Sequence, residues 1–274
     1  MPIIAISRGT FSGGEEVARA VADRLGCSCV SREVILDAAW GHGIPMGEMI
    51  AAMDKRPPLW RRFAGERNAH LILMRSALCE HALRGSLVYH GHLGHLLLPG
   101  ISHAIGIRVI ADPAYRIPAT MRQLALDRDA AAAHIQKVDK ERRQWCQFIF
   151  GVDWDDPSLY DLVVNLSRVQ ASTACETILR LAGDAAFQAT PASHKAMRDL
   201  ALSSRVAAAL AMDPRTHGVF PSVSADDGIV TVSGAANSAE TAEVVTTVAR
   251  PVEGVKELRT DIQSIRRPSD SPQI

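Results

Sequence analysis

The stretch Ile6–Ala18, "ISRGTFSGGEEVA", decides the fold of this chain. It overlaps a short isoleucine-rich run, Pro2–Ser7, that is typical of a buried parallel strand, and it leads into apolar residues at helical spacing. Gly26 then marks a helix end, and the letters "CSCV" that follow predict a second strand. A strand, a glycine-rich turn, a helix and a strand within about thirty residues indicate a βαβ unit.

The turn itself has the composition of a phosphate-binding loop. Main-chain N–H groups at a helix N-terminus bind phosphate when small side chains leave them accessible. Ser12, Gly13 and Gly14 meet that requirement, and Gly9 with Gly14 has the outer G-x4-G spacing of nucleotide-binding loops. We therefore expect Ser12, Gly13 and Gly14 to contact the phosphates of a nucleotide.

The residues after the loop depart from this pattern, because Glu15 and Glu16 stand where a lysine and a hydroxyl side chain usually follow. Three interpretations are open: the acids stabilise the helix dipole, Glu16 ligates Mg²⁺, or nucleotide binding is lost. Two unit charges about 4 Å apart interact by ~4 kcal/mol at an effective dielectric near 20. The missing cation is therefore serious, and Arg8 is either its replacement or a solvated side chain.

Composition excludes several other classes of protein. In the 274 residues, 30 basic side chains balance 30 acidic ones, which argues against a nucleic-acid binder. The five cysteines are typical of reduced thiols in a cytoplasm. The N-terminal stretch lacks a basic leader, and no apolar run reaches the length of about 18 residues that a transmembrane helix needs. We expect a cytoplasmic protein.

Alternating strands and helices continue to about residue 183 and predict an α/β domain, a parallel sheet with helices on both faces. The stretch 184–195 is small, polar and proline-containing, and we interpret it as a linker. The pattern then changes to a helix, a hairpin at Asp227-Gly228, a second helix and a closing strand. We assign 1–183 to the first domain, 196–267 to a small α+β domain and 268–274 to a tail.

Three separated stretches of the first domain resemble the cytidylate kinase-like family of P-loop nucleoside monophosphate kinases. They read "IAISRGTFSGGEEVARAVADRLG", "GSLVYHGHLGHLLLPG…RVIADPAYRI" and "HIQKVDKERRQWCQFIFGVDWDDPSLYDLVVN", of which the third is the most specific. The resemblance implies a P-loop kinase fold that uses ATP and Mg²⁺. It also implies that CMP, dCMP or a similar nucleotide accepts the phosphoryl group.

The second domain resembles a BON module over "IVTVSGAANSAETAEVVTTVARPVEGVKEL". That resemblance implies binding to a lipid surface or a protein partner rather than catalysis.

Phosphoryl transfer needs positive groups around the migrating phosphate. With the family resemblance, Arg116, Arg142 and Arg143 are the candidate catalytic residues, and Arg142 is the strongest of them. Asp139 precedes Arg142 and Arg143 at the spacing of ordinary helix ion pairs, so a purely structural role is also open.

The acceptor nucleotide is assigned to Arg32 and His92. Arg32 follows the second strand at the sheet edge where such folds bind ligands. His92 stands where the resemblance leads us to expect arginine, and a neutral imidazole is a weaker phosphate partner. Zinc is not indicated, because His90, His92 and His95 lack a fourth ligand at a fixed spacing. Glu15 and His92 together keep an alternative open, a catalytically degenerate nucleotide sensor or scaffold acting through its BON domain.

Overall fold

The computed structural model describes residues 2–35, 64–92, 94–216, 219, 221–236 and 239–264. They divide into two compact units. The first takes its described residues from 1–58 and 84–194, and the second from 59–83 and 195–274. The predicted tail, 268–274, lies outside the described residues. In the part of the chain that is described, no helix has the length and apolar character needed to cross a membrane.

The strands of the first unit are β1 (Ile3–Arg8), β2 (Ser28–Ser31), β3 (Leu87–Gly91), β4 (Ala104–Ile110) and β5 (Leu162–Asn165). They form one parallel sheet in the order β2-β3-β1-β4-β5. The described helices are α1 (Gly14–Leu25), α2 (Ala64–Leu83), α3 (Pro113–Leu124), α4 (Arg128–Phe150), α5 (Ala171–Ala182), α6 (Pro191–Met212) and α7 (Ala239–Ala249). The parallel sheet confirms the fold class that the alternation predicted.

One face of this sheet packs against α1 and α5 and forms an apolar core with them. The strand residues Ile6 and Ile107 pack against Val17 of α1 and Ile178 of α5, and all four are fully buried. The spacing of Val17, Ala18, Val21 and Ala22 places them on a single face of α1, which is why this helix forms where the sequence predicts it. Gly26 ends α1 with a left-handed backbone, φ 61°.

The opposite face of the sheet becomes polar toward the carboxyl ends of the strands. Ser7 of β1 pairs with Gly91 of β3 and with Arg108 of β4, so their side-chain positions share this face. The short 3-10 turn Gly94–Leu97 follows β3 and brings His95 against Gly106, whose added Cβ would lie 3.3 Å from the imidazole. The polar ends of β1, β3 and β4 therefore meet at one edge, as a parallel sheet requires.

The second unit contains a small three-stranded sheet of β6 (Ser222–Asp226), β7 (Ile229–Ala236) and β8 (Glu257–Ser264). β6 and β7 form an antiparallel hairpin whose turn residues, Asp227 and Gly228, both have positive φ, as an Asp-Gly turn predicts. α7 connects β7 to the parallel strand β8. A valine-rich core fills the unit, with Val206 of α6 packed against it.

The domain borders differ from the sequence interpretation at two points. The stretch 184–195, interpreted as a linker, contains a 3-10 turn, Ala185–Phe187, and the first residues of α6. The helix α2, expected in the first domain, groups with the second unit. There the Glu80 carboxylate accepts hydrogen bonds from Arg205 of α6 at 3.0 and 2.6 Å. An ion pair between sequence-distant helices leaves no local sequence signal.

Candidate functional site

The glycine-rich loop joins β1 to α1 and has the geometry of an anion-binding turn. Gly13 is the N-cap of α1 with φ 83°, and the first amides of the helix have no acceptor within it. At Gly14 an added Cβ would lie 2.7 Å from the Arg8 Cβ, so only glycine fits there. The Ser12 hydroxyl donates to the Val109 carbonyl at 3.2 Å. Ser12 thus fastens the loop to β4 through its side chain.

The two glutamates after the loop have different surroundings. Glu15 accepts a hydrogen bond from Arg19 at 2.9 Å and lies 3.8 Å from the Arg8 guanidinium. The bond from Arg19 holds the pKa of Glu15 below its ordinary value, and the charge of Arg8 lowers it further. Its negative charge is therefore offset by two arginines, which the sequence argument about repulsion did not foresee. Glu16 is exposed.

Thr10 is the centre of a hydrogen-bond chain that the sequence did not reveal. The Arg142 Nη1 donates to the Thr10 Oγ1 at 2.6 Å, and this hydroxyl lies 3.3 Å from the Asp139 carboxylate, to which it donates. α4 is thereby attached to the phosphate loop. Of the three candidate catalytic arginines, Arg142 is the one whose guanidinium contacts a side chain of the loop.

Arg116 and Arg143 are engaged by carboxylates. The Arg116 guanidinium is buried, donates from Nε to the Thr10 carbonyl at 2.7 Å and contacts both oxygens of Asp139 at 2.7 and 2.9 Å. It lies on α3 and supports the loop through these contacts. Arg143 lies on another face of α4 and donates from Nε to Asp155 at 2.9 Å.

His92 is buried at the end of β3 with 5% of its surface exposed. Neither ring nitrogen forms a well-oriented hydrogen bond within the described part of the chain. Burial holds the pKa of His92 well below its ordinary value, and the charges of Arg142, Arg32 and Arg8 lower it further. The charges of three predicted site residues from three other segments therefore act on His92.

Arg32 directly follows β2 and lies next to Gly91, the last residue of β3. Its side chain is 11% exposed and approaches Glu33 at 3.5 Å, and its Cβ lies 3.0 Å from the position that a Cβ on Gly91 would take.

His90 and His95 do not join His92 in a metal centre, since no three metal-ligating side chains cluster among the described residues. Burial lowers the pKa of His95 to about 4, while its ring packs on Tyr160 at 4.8 Å.

Arg108 and Trp154 are two further residues that the sequence analysis missed. Arg108 lies in the middle of β4 and is 5% exposed, and its guanidinium stacks 3.7 Å from the centre of the Trp154 ring. The same ring makes an edge contact with His92 at 5.6 Å. An arginine inside the apolar run "AIGIRVI" was the available signal.

Main-chain amides, three guanidinium groups and a neutral imidazole therefore converge at the carboxyl edge of the sheet, which suits a ligand with phosphate groups. The strand order β2-β3-β1-β4-β5, with a glycine-rich loop between β1 and α1, defines the class as a P-loop kinase-like protein. The model of the cytidylate kinase-like family matches residues 3–168, and the chain belongs to this family. A BON domain model matches residues 198–265. Both findings confirm the resemblances.

Individual relatives support the same classification. A cytidylate kinase of Ignicoccus hospitalis is 27% identical over 184 residues, which is 66% of this chain and 99% of the relative. A solved structure of an uncharacterized protein from Eubacterium ventriosum superposes with a TM-score of 0.53 at 21% identity, covering 66% of this chain and 98% of that one. It shows the shared fold. A shikimate kinase from Acinetobacter baumannii has a TM-score of 0.39 at 13% identity over 66% and 92% of the chains, too low to carry an argument.

Proposed function

We propose that this protein is a nucleotide kinase that transfers the terminal phosphoryl group of ATP to CMP or dCMP. One observation carries the proposal: the positive charges of Arg8, Arg32 and Arg142 all act on the buried, neutral His92, and Arg142 also contacts Thr10 of the loop. Positive charges concentrated on a desolvated neutral group favour the binding of an anion. The name of the Ignicoccus relative, cytidylate kinase, favours a pyrimidine nucleotide as the acceptor.

The ATP end of the site is the loop. The amides of Gly13 and Gly14 and the dipole of α1 would bind the phosphates, as they do in loops of this geometry. Arg8 would take the place of the missing lysine, since it ends β1 and its guanidinium lies 3.8 Å from Glu15 in the first turn of α1. Arginine suits phosphate oxygens because its planar fork donates two parallel hydrogen bonds.

The acceptor end comprises Arg32 and His92. The neutral imidazole carries one N–H, which can donate to a phosphate oxygen of the acceptor, and Arg32 supplies the positive charge that His92 lacks. An oxygen of the acceptor phosphate attacks the terminal phosphorus of ATP, the bond from that phosphorus to the bridging oxygen breaks, and ADP leaves. Arg142, which already reaches Thr10 in the loop, would contact the migrating group. Arg116 and Arg143 act through the loop and α4.

Magnesium ion would neutralise part of the phosphate charge when bound. Among the described residues no three ligating side chains form a preformed metal centre. Mg²⁺ usually binds through nucleotide phosphates and water together with one or two carboxylates, so it does not require three protein ligands. Glu16, exposed in the first turn of α1, is the carboxylate of this chain that we assign to that role.

A second candidate function has its own support. Glu15 stands where a lysine is usual, and the carboxylates of Asp139 and Asp155 already occupy Arg116 and Arg143. A protein with such a site can bind nucleotides without turning them over. It would then act as a sensor or scaffold whose BON domain contacts a lipid surface or a protein partner.

An ADP-release assay on the full chain distinguishes the two functions. With Mg·ATP we expect ADP production that depends on CMP or dCMP and is weaker with UMP or AMP. Calorimetry with ATP and with CMP separately measures binding. Binding of both nucleotides without CMP-dependent ADP would favour the sensor. If neither ATP nor CMP binds, both proposed functions are overturned.

A further inference from the structure

Arg108 is an arginine in a position that normally takes an apolar residue. It pairs with Ser7 of β1 on one side and Val163 of β5 on the other, so it lies in the interior of the sheet. Its neighbours Ile107 and Val109 are fully buried. Burying a charged group is expensive unless it is paired, so a buried arginine at this position requires compensation from the surrounding structure.

The acidic segment 153–156, which precedes β5 in the chain, supplies that compensation. Trp154, 1% exposed, covers the Arg108 guanidinium with its ring, and Asp155 accepts a hydrogen bond from Arg108 Nη2 at 3.0 Å. The Nη1 atom of Arg108 and the Nε1 atom of Trp154 have no hydrogen-bond partner among the described residues. A purely structural arginine would be expected to have its buried donors satisfied.

The carboxylate of Asp155 is shared between the sheet and α4. One oxygen accepts from Arg108 and the other accepts from Arg143 at 2.9 Å. Arg143 is adjacent to Arg142, and adjacent helical residues point about 100° apart because the helix has 3.6 residues per turn. Holding Arg143 at Asp155 therefore fixes the rotation of α4 that directs Arg142 to Thr10.

We propose that Arg108 and Asp155 are positioning residues of the phosphoryl-transfer site. Asp155 holds α4 so that Arg142 faces the phosphate loop, and Arg108 anchors Asp155 to the sheet. Trp154, stacked on Arg108, supports His92 through its edge contact, so both ends of the site depend on one buried guanidinium. For its kinetic consequences this inference rests on the proposed function.

The test uses the full chain with Asp155→Asn, which keeps the shape of the side chain and removes its charge. We expect kcat to fall about 10- to 100-fold, as small misplacements of a catalytic group do, with a smaller change in KM for CMP. The same substitution in an Arg142→Gln background should have almost no further effect, because Asp155 acts through Arg142. Equal losses in both backgrounds would overturn the proposal.

Matched variants control for general damage. Asp129→Asn changes another carboxylate, exposed at the start of α4, and should leave kcat at the level of the unmodified chain. Arg108→Lys should retain more activity than Arg108→Met, because lysine keeps the charge beside Asp155. If Asp155→Asn behaves like Asp129→Asn, or if Arg108→Met is as active as Arg108→Lys, the positioning role is wrong.

Two further readouts do not depend on kinase activity. Hydrogen exchange of the α4 amides around Arg142 should be faster in Asp155→Asn than in Asp129→Asn. The affinity for inorganic pyrophosphate, measured by calorimetry, should fall about tenfold in the first variant only. If CMP-dependent ADP release is absent but both differences are found, the proposed function fails and the positioning role stands. If neither difference is found, the positioning role fails.

Discussion

The two units of the chain differ in how they treat polar side chains. In the first unit His92, Arg108 and Trp154 are buried, with polar side-chain atoms that lack a partner among the described residues. Among the described residues of the second unit such an atom is found at Arg75 Nε, whereas Lys195 lies closer to the surface and pairs with Asp199 at 2.8 Å and also with Asp226. An unsatisfied buried polar group costs about 1–3 kcal/mol. A protein tolerates that cost where a ligand supplies the missing partner, and the larger number of such atoms in the first unit favours it as the place of the proposed chemistry.

The histidines extend this contrast. Burial lowers the pKa of His90, His92, His95 and His103, all of them in the first unit. In the second unit hydrogen bonds to Asp199 and Asp226 raise the pKa of Lys195, and the bond from Lys195 lowers the pKa of Asp226, so both groups are stabilised in their charged forms. The first unit should therefore be the acid-sensitive part of the molecule, whereas the second should retain its structure at mildly acid pH.

The largest expected effect is on phosphoryl transfer. Arg142→Gln should lower kcat/KM with CMP by about 100- to 1,000-fold, the usual consequence of removing a charged donor from a transferring group. Its control is Arg122→Gln, an exposed arginine on α3. Steady-state ADP release measures both. A loss of less than about fivefold in Arg142→Gln would remove this residue from the catalytic role.

The next effect concerns acid stability. Because the pKa of His95 is about 4 in the folded protein and 6.5 ordinarily, the unfolded chain binds more protons between these values. The stability due to neutral His95 is complete above pH 6.5 and is lost as the pH falls toward 4, by as much as about 3 kcal/mol. His95→Phe should therefore flatten the fall in unfolding free energy over this range.

Urea unfolding at a series of pH values makes the measurement. Phenylalanine preserves the ring contact with Tyr160 and removes the titration. A pH dependence equal to that of the unmodified chain would show that His95 is not the group responsible.

A core substitution in the second unit tests whether the units are energetically separate. Val232 is fully buried on β7, and Val232→Ala should lower the unfolding free energy of that unit by about 2 kcal/mol. Nucleotide binding by the first unit should not change. Circular dichroism during urea unfolding follows stability, and calorimetry follows CMP binding. A parallel loss of CMP affinity would show that the BON domain supports the kinase site.

The smallest expected effect is at the loop. Glu15→Gln should change ATP affinity by less than about fivefold, because exposed ion pairs contribute little and the charge of Glu15 is already offset by Arg19 and Arg8. Glu16→Gln is the companion variant. A shift of the Mg²⁺ requirement in Glu16→Gln, absent from Glu15→Gln, would support the metal role assigned to Glu16. A tenfold or larger gain of ATP affinity in Glu15→Gln would show that repulsion between Glu15 and the nucleotide phosphates limits binding.

Part of the candidate site could be proposed from the sequence because its residues follow local rules. Gly13 and Gly14 were identifiable, since a glycine-rich turn between a strand and a helix has few other uses. Arg32 was assigned because it follows a strand at the sheet edge where such folds bind ligands, and His92 because the family resemblance places an arginine there; both roles stay predictions. Thr10, Arg108 and Trp154 were not, because their importance comes from partners distant in sequence: Thr10 lies 132 residues from Arg142.

By itself the sequence determined the α/β alternation, the glycine-rich loop between β1 and α1, the hairpin at Asp227-Gly228 and the family, because these depend on periodicity and on turn chemistry within short segments. Only the tertiary structure decided which charges meet. It paired Glu15 with Arg8 and Arg19, and it placed Arg143 on Asp155 and Arg142 on Thr10. Electrostatic energy depends on distances of a few ångströms between residues far apart in the chain, and folding alone sets those distances.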